Sequence, residues 1–140
     1  MFDKMLVALD DTETSSRAFT MGLEIARRFG GEMHLCSVIE HVVAQADVLM
    51  GAVDDIVALT RQHAELTHKF LIDRAEREGV KVVSHILSGE PVETIVQLAD
   101  TERVDAIVIG GLGRRVRLFG GAGSGAKIAR FASCTVVVAR

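Results

Sequence analysis

An open, five-stranded parallel α/β sheet with helices on both faces follows from three features of this sequence. Strand-like and helix-like segments alternate from one end to the other, which calls for crossover connections and a parallel sheet. The strand-like runs are short and almost continuously apolar, as strands covered on both faces are. No apolar run is long enough to span a bilayer, and 140 residues suit one domain, 1–140, with a core of its own.

The first run, Met5 to Leu9, stops at Asp10-Asp11 and reads as a buried strand. A helix follows in TETSSRAFTMGLEIARRFG, with Ala18, Met21, Ile25 and Phe29 at helical spacing. Thr12 or Thr14 is placed to cap its start, and Gly30-Gly31 ends it. EMHLCSVIE is the second strand. His41 to about Gly51 has no clear period and reads as a loop or an irregular helical piece, before a long helix from about Val53 to Glu78. VKVVSHIL is the third strand. SGEP opens the next helix with Pro91 in its first turn. DAIVIGG is the fourth strand, a short helix runs from about Ser124 to Ala132, and TVVVA is the last strand. Right-handed crossovers leave few topologies, and an open sheet binds its ligand beyond the carboxyl ends of its strands, where the winding reverses.

Charge is unevenly distributed. After Asp105 the chain has no acid but carries Arg114, Arg115, Arg117, Lys127, Arg130 and Arg140, so the last 35 residues hold +6 and the first 105 hold −9 of the net −3. A local excess of this kind attracts a small polyanion to one place, whereas a nucleic-acid binder spreads its basic charge widely. Tyr and Trp are absent, which removes the usual stacking platforms for bases. Nucleic acid and membrane are therefore not expected partners. Cys36 and Cys134 sit in apolar settings without a ligand spacing and read as reduced thiols, and MFDKMLVALDD lacks the pattern of a signal peptide; both point to a cytoplasmic protein.

The basic stretch coincides with the glycine-rich one, IGGLGRRVRLFGGAGSGAKI, residues 109–128. A P-loop would need Gly-Lys followed by Ser or Thr, but Gly125 is followed by Ala126 and Lys127 by Ile128. GAGSGA satisfies a dinucleotide-binding pattern in form, yet stands away from the strand end and has no later acid for a ribose. The spacing that begins at the strand end is Gly110, two residues, Gly113, nine residues, Gly123, Ser124.

With that spacing the chain resembles the nucleotide-binding branch of the universal stress protein family. The resemblance extends to LVALDDTETSSRA at the start, GEPVETIVQLADTERVDAIVIGG in the middle and IARFASCTVVVAR at the end. Asp11 stands where a Gly is common, Thr135 where a Pro often follows the Cys, and Gly125 where a Val is frequent. The resemblance implies a Rossmann-like sheet in the order 3-2-1-4-5 and a homodimer joined through the last strand, Thr135 to Ala139. It also implies an adenine-nucleotide-binding, stress-response module with an unidentified protein partner. The ligand would be ATP, or ADP or AMP, with Mg or Mn held through the phosphates.

Each site residue has a physical role in that reading. Gly110 and Gly113 let the backbone approach phosphate oxygens and permit positive φ. Gly123 and Ser124, followed by Gly125, stand where the last helix begins and its free N–H groups favour an anion. Arg114 adjoins Gly113 as a charged clamp. Asp10 would accept from a ribose hydroxyl or amine, or else cap a helix. Ala8 and Val38 match family positions beside the adenine, and are otherwise core residues.

Three other readings compete. A receiver domain shares the Asp10-Asp11 pair but needs an Asp after the third strand, where HILSGE has none. A flavodoxin-like carrier needs aromatic residues around its flavin. A member of the same family working only through protein contacts would lack the glycine motif. No Ser-His-acid set can be paired by spacing, and His34, His41, His63, His68 and His85 show no ligand motif. At most the chain would hydrolyse ATP slowly, with no general base identifiable.

Overall fold

A computed structural model describes residues 1–10, 13–40, 47–111 and 124–140. The element order is β1 (Lys4–Leu9), α1 (Glu13–Phe29), β2 (Glu32–Ile39), α2 (Asp47–Arg77), β3 (Val82–Ser88), α3 (Pro91–Glu102), β4 (Ala106–Gly110), α4 (Ser124–Phe131) and β5 (Thr135–Ala139). The five strands form one sheet in the order β3-β2-β1-β4-β5, and every pairing is parallel. This is the order implied by the resemblance, with β3 and β5 at the edges.

Side chains of a strand alternate between faces, so each apolar run supplies two cores. Met5 and Val7 on β1, with Met33 and Leu35 on β2, pack under α1 and α2 against Phe19, Leu23 and Ala75. Leu6, Cys36, Ile107 and Ile109 pack on the other face under α3 and α4, against Ile95, Leu98 and Ile128. Among the described residues, no helix is long and apolar enough to cross a membrane.

Two local expectations change. α1 does not bury the row Ala18, Met21, Ile25, Phe29. Its buried face is Ser15, Ala18, Phe19, Gly22, Leu23 and Ala26, while Met21 and Phe29 are exposed. The rotation follows from Gly22, where a Cβ would stand 2.5 Å from Cγ2 of Val7. The bare backbone lets the helix settle directly on β1. Thr14 lies inside this helix rather than capping it, and Thr12 lies outside the described residues.

α2 begins at Asp47, within the segment that reads as loop or irregular helix, and runs for 31 residues. Its start was obscure because it lacks a clean two-sided pattern. Among the residues of α2 whose burial is described, the buried ones are His68 and Ala75, both in its second half, with large apolar side chains left outside. α3 is closed at both ends. Glu90 is its N-cap, accepting from the N–H groups of Val92 at 3.2 Å and Glu93 at 2.7 Å, with Pro91 next. Arg103 adopts the left-handed conformation, φ 54°, at its end.

His68 ties α2 to the sheet. One ring nitrogen lies 2.7 Å from Ser37 Oγ on β2 and the other 2.6 Å from Ser84 Oγ on β3. A neutral imidazole meets both, donating to one hydroxyl and accepting from the other. Burial, with the nearby His85 contributing, lowers its pKa from 6.5 to about 4. The unfolded chain therefore binds a proton between those values that the folded chain refuses. Stability should be full above the ordinary histidine range and decline as the pH falls towards the folded value, by about 3 kcal/mol in all from this group. His85, also lowered by burial and by His34, acts in the same direction. Urea unfolding midpoints measured across this window should fall with acidification. His68→Gln should flatten the dependence.

Candidate functional site

The strand order places a crevice. The chain moves outward from β1 through β2 to β3, then returns to the other side of β1 for β4 and β5. Winding reverses between β1 and β4, whose paired residues are Met5 with Ala106, Leu6 with Ile107 and Val7 with Val108. In an open parallel sheet the carboxyl ends of the two strands that flank such a reversal are the usual ligand position.

Asp10 stands at that end, immediately after β1, and is exposed. Its backbone N–H donates to Ser15 Oγ at 2.7 Å. The same hydroxyl lies 2.7 Å from both the Asp10 carbonyl oxygen and Oδ1, to either of which its proton can be donated. Ser15, buried in the first turn of α1, thus fixes both the backbone and the carboxylate of Asp10.

Gly110 ends β4 across the crevice. A Cβ there would stand 2.6 Å from Thr14 Oγ1 and 2.7 Å from both the carbonyl carbon and Cβ of Thr14. Close approach of α1 therefore already requires glycine at this position, and among the described glycines the positive φ values belong to Gly30, Gly79 and Gly89 instead. Asp10, Thr14, Ser15 and Gly110 form one continuous patch.

On the α3 and α4 face, Ala8, Val38 and Leu87 are half-buried at the carboxyl ends of three adjacent strands and pack against the core beneath. In register, Ala8 is opposite Cys36 and Val38 opposite Leu87. They make an apolar wall at this end of the sheet, backed by the core beneath. α4 starts on this face at Ser124 and is anchored by the buried Ile128. Gly125 is half-buried in its first turn. Lys127 lies near Glu90, whose carboxyl is held below its ordinary range by the Glu93 N–H, with Lys127 adding to the effect. Gly113, Arg114 and Gly123 lie outside the described residues.

The structure thus brings Ala8, Asp10, Val38 and Gly110 to one end of the sheet, with the start of α4 on the same face as Ala8 and Val38. Sequence reasoning missed Leu87, Thr14 and Ser15 as parts of this end. An apolar residue at the close of an edge strand and two hydroxyls in a first helical turn have many ordinary uses. Asp10 and Ser15 also border a hollow between α1 and α2, with Ser16, His63, Thr67 and Leu71, on the face opposite the apolar wall.

The other ionisable groups of interest lie in the body of the sheet. His34 is buried on β2, with Nδ1 2.8 Å from His85 Nε2 and Nε2 2.7 Å from Glu32 Oε1. Among the described residues no three His, Cys, Asp or Glu side chains are arranged to hold a metal ion. Cys36 and Cys134 are free thiols, and burial pushes Cys36 up to about 12, which leaves it protonated and unreactive at neutral pH.

A family model described as the universal stress protein family matches residues 1–140. Universal stress protein YxiE of Bacillus subtilis is 26% identical over 150 aligned residues, covering 100% of both chains. Among solved structures, universal stress protein UspA from Lactobacillus plantarum superposes with a TM-score of 0.88 at 21% identity, over 99% of this chain and 98% of that one. The universal stress protein from Archaeoglobus fulgidus in complex with dAMP gives a TM-score of 0.70 at 24% identity, with 100% of each chain covered. At these identities the structural likeness establishes the shared fold.

The contact between Gly110 and Thr14 makes a direct prediction. Gly110→Ala must push the first turn of α1 off β4, because part of the obstruction is Thr14 backbone, and should destabilise by about 1–3 kcal/mol. Gly110→Ala combined with Thr14→Gly should recover only part of that loss. Denaturant unfolding of the three proteins checks both statements; an unchanged midpoint for Gly110→Ala would contradict the contact.

Proposed function

Because the chain belongs to the universal stress protein family, we propose that it binds an adenine nucleotide at the end of the sheet where β1 meets β4. It works there as a nucleotide-responsive regulatory module in stress response. The observation that carries this reading is the switch-point crevice, with Asp10 and Gly110 at the carboxyl ends of paired strands beside the wall of Ala8, Val38 and Leu87. That combination suits a nucleotide: a flat apolar base on the wall, a sugar near a carboxylate, and phosphates towards glycines and a helix start. The dAMP complex of the Archaeoglobus fulgidus relative is consistent with it.

The base would lie against Ala8 and Val38, with backbone groups of β2 reading its edge. Asp10, held by Ser15, would accept from a ribose hydroxyl. Gly110, Gly113 and Gly123 would offer backbone N–H groups to the phosphates. Ser124 and Gly125 would add the first free N–H groups of α4, and Arg114 would supply the positive charge. A magnesium or manganese ion would be carried by the phosphates rather than by a protein cluster. ATP is the form that uses all of these donors; ADP and AMP use fewer.

Residues 1–140 act in this reading as one nucleotide-binding domain in the reducing cytoplasm, where Cys36 and Cys134 stay free. The edge strand β5, Thr135 to Ala139, would join two copies, since the apolar edge of a sheet needs cover. An unidentified protein partner would read the bound state. The reading assigns no general base, so any hydrolysis would be slow.

Two measurements test it. Small molecules released by denaturing freshly purified protein should include an adenine nucleotide by mass spectrometry. ATP titration by calorimetry should show Gly113→Val weakened by at least about tenfold, or roughly 1.4 kcal/mol. Equal affinities in wild type and Gly113→Val would remove the glycine-rich loop from the site.

A further inference from the structure

Four of the large apolar side chains left outside lie on α2: Ile56 at 57% exposure, Leu59 at 65%, Leu66 at 70% and Phe70 at 71%. With His63, which also borders the hollow beside α1, between them, positions 56, 59, 63, 66 and 70 repeat by threes and fours. That is the period of a helix–helix seam. The stripe is not the face that holds α2 to the protein, because Leu71, Ile72 and Ala75 pack on the sheet core and His68 bonds to β2 and β3. A solvent-facing helix surface would ordinarily be polar here, and a row of large apolar side chains broken only by His63 marks an interaction surface.

We propose that this stripe is an interface with a second copy of this chain, α2 lying antiparallel on α2 with the two-fold axis between Leu59 and His63, at the level of position 61. The sequence of the stripe is complementary to itself in that register and no added partner is needed to fill it. Residues whose numbers sum to about 122 face each other. Phe70, the bulkiest, lies over the partner's Ala52, with Gly51 beside it; Ala52 is exposed, and a Cβ on Gly51 would meet no heavy atom within 4 Å. Leu66 faces the partner's Ile56, and Leu59 faces the partner's His63. Each of these contacts occurs twice.

Charge at the margin agrees. Asp55 and Lys69, both exposed, stand on the same side of the stripe and approach each other across the antiparallel seam, giving two opposite-charge pairs. A parallel arrangement would set Asp55 beside Thr60 and Phe70 upon Phe70, with Ala52 on Ala52. It offers neither the charge pairs nor the match of large to small. The surface also differs from the β5 edge. α2 bonds to β2 and β3, on the other side of β1 from β5, so the two contacts can be separated by mutation.

Sedimentation equilibrium at high micromolar concentration decides the matter. The average mass of wild type should fall by about half in Leu66→Glu/Phe70→Glu, with far-ultraviolet circular dichroism unchanged. The β5-edge variant Thr135→Lys, at the exposed start of that strand, should keep the α2 contact. Asp55→Lys and Lys69→Asp should each weaken association, and the double exchange should restore it. Equal masses for wild type and Leu66→Glu/Phe70→Glu overturn the interface, whether both are monomers, both associate elsewhere, or the chain's own 112–123 segment covers the stripe. If that double variant loses its circular dichroism, the charge exchange decides alone. Recovery in Asp55→Lys/Lys69→Asp supports the seam; indifference to either single change overturns it.

Discussion

Hydrogen bonding of β1 between β2 and β4 is the constraint on which the other placements depend. The chain builds outward in one direction from β1, then restarts on its other flank. That reversal puts the carboxyl ends of β1 and β4 side by side at the switch point of the sheet. Below this end the central strands are sealed, with Leu6, Val7, Ile107 and Val108 excluded from solvent. α1 sits on β1 closely enough for Gly22 to meet Val7 and for Thr14 to meet Gly110, which couples the two sides of the crevice mechanically.

The polar groups inside the fold are satisfied in ways that also hold its parts together. No buried side-chain nitrogen or oxygen among the described residues lacks a hydrogen-bond partner. His68 joins a helix to two strands through two serine hydroxyls, and the stacked His34 and His85 join β2 to β3, with rings 5.0 Å apart. Losing one member of such a bridge strands the others in a low-dielectric interior, at a cost greater than the net worth of the bond. The same burial keeps the imidazole of His68 neutral at physiological pH. These histidines hold two strands and a helix together in the body of the sheet.

α2 departs from this economy. At 31 residues it is roughly 46 Å long, whereas the eight residues of β2 extend roughly 26 Å. A helix that outruns its sheet cannot be buried along its whole length. Its sheet-facing side holds β2 and β3, and over the same stretch Ile56, Leu59, Leu66 and Phe70 stand exposed on the opposite side. Two apolar faces superimposed on one helix blur its amphipathic pattern in sequence.

Alternation of element types, strand apolarity and the glycine spacing after β4 were sufficient, from sequence alone, to determine a parallel α/β sheet and to mark Asp10 and Gly110 as strand-end residues. These are local properties, written in period and in turn residues, and they survive without knowledge of neighbours. The face that α1 buries, the start of α2 and the burial of His34 and His68 were decided only by tertiary structure. In each case the outcome depends on what lies across the contact: Val7 beneath Gly22, serines on two strands around His68, and a second histidine beside His34. Gly110 shows both levels at once. Its position after a strand drew attention to a ligand, but the atom that first forbids a side chain there belongs to Thr14, on a helix nearly a hundred residues earlier in the chain.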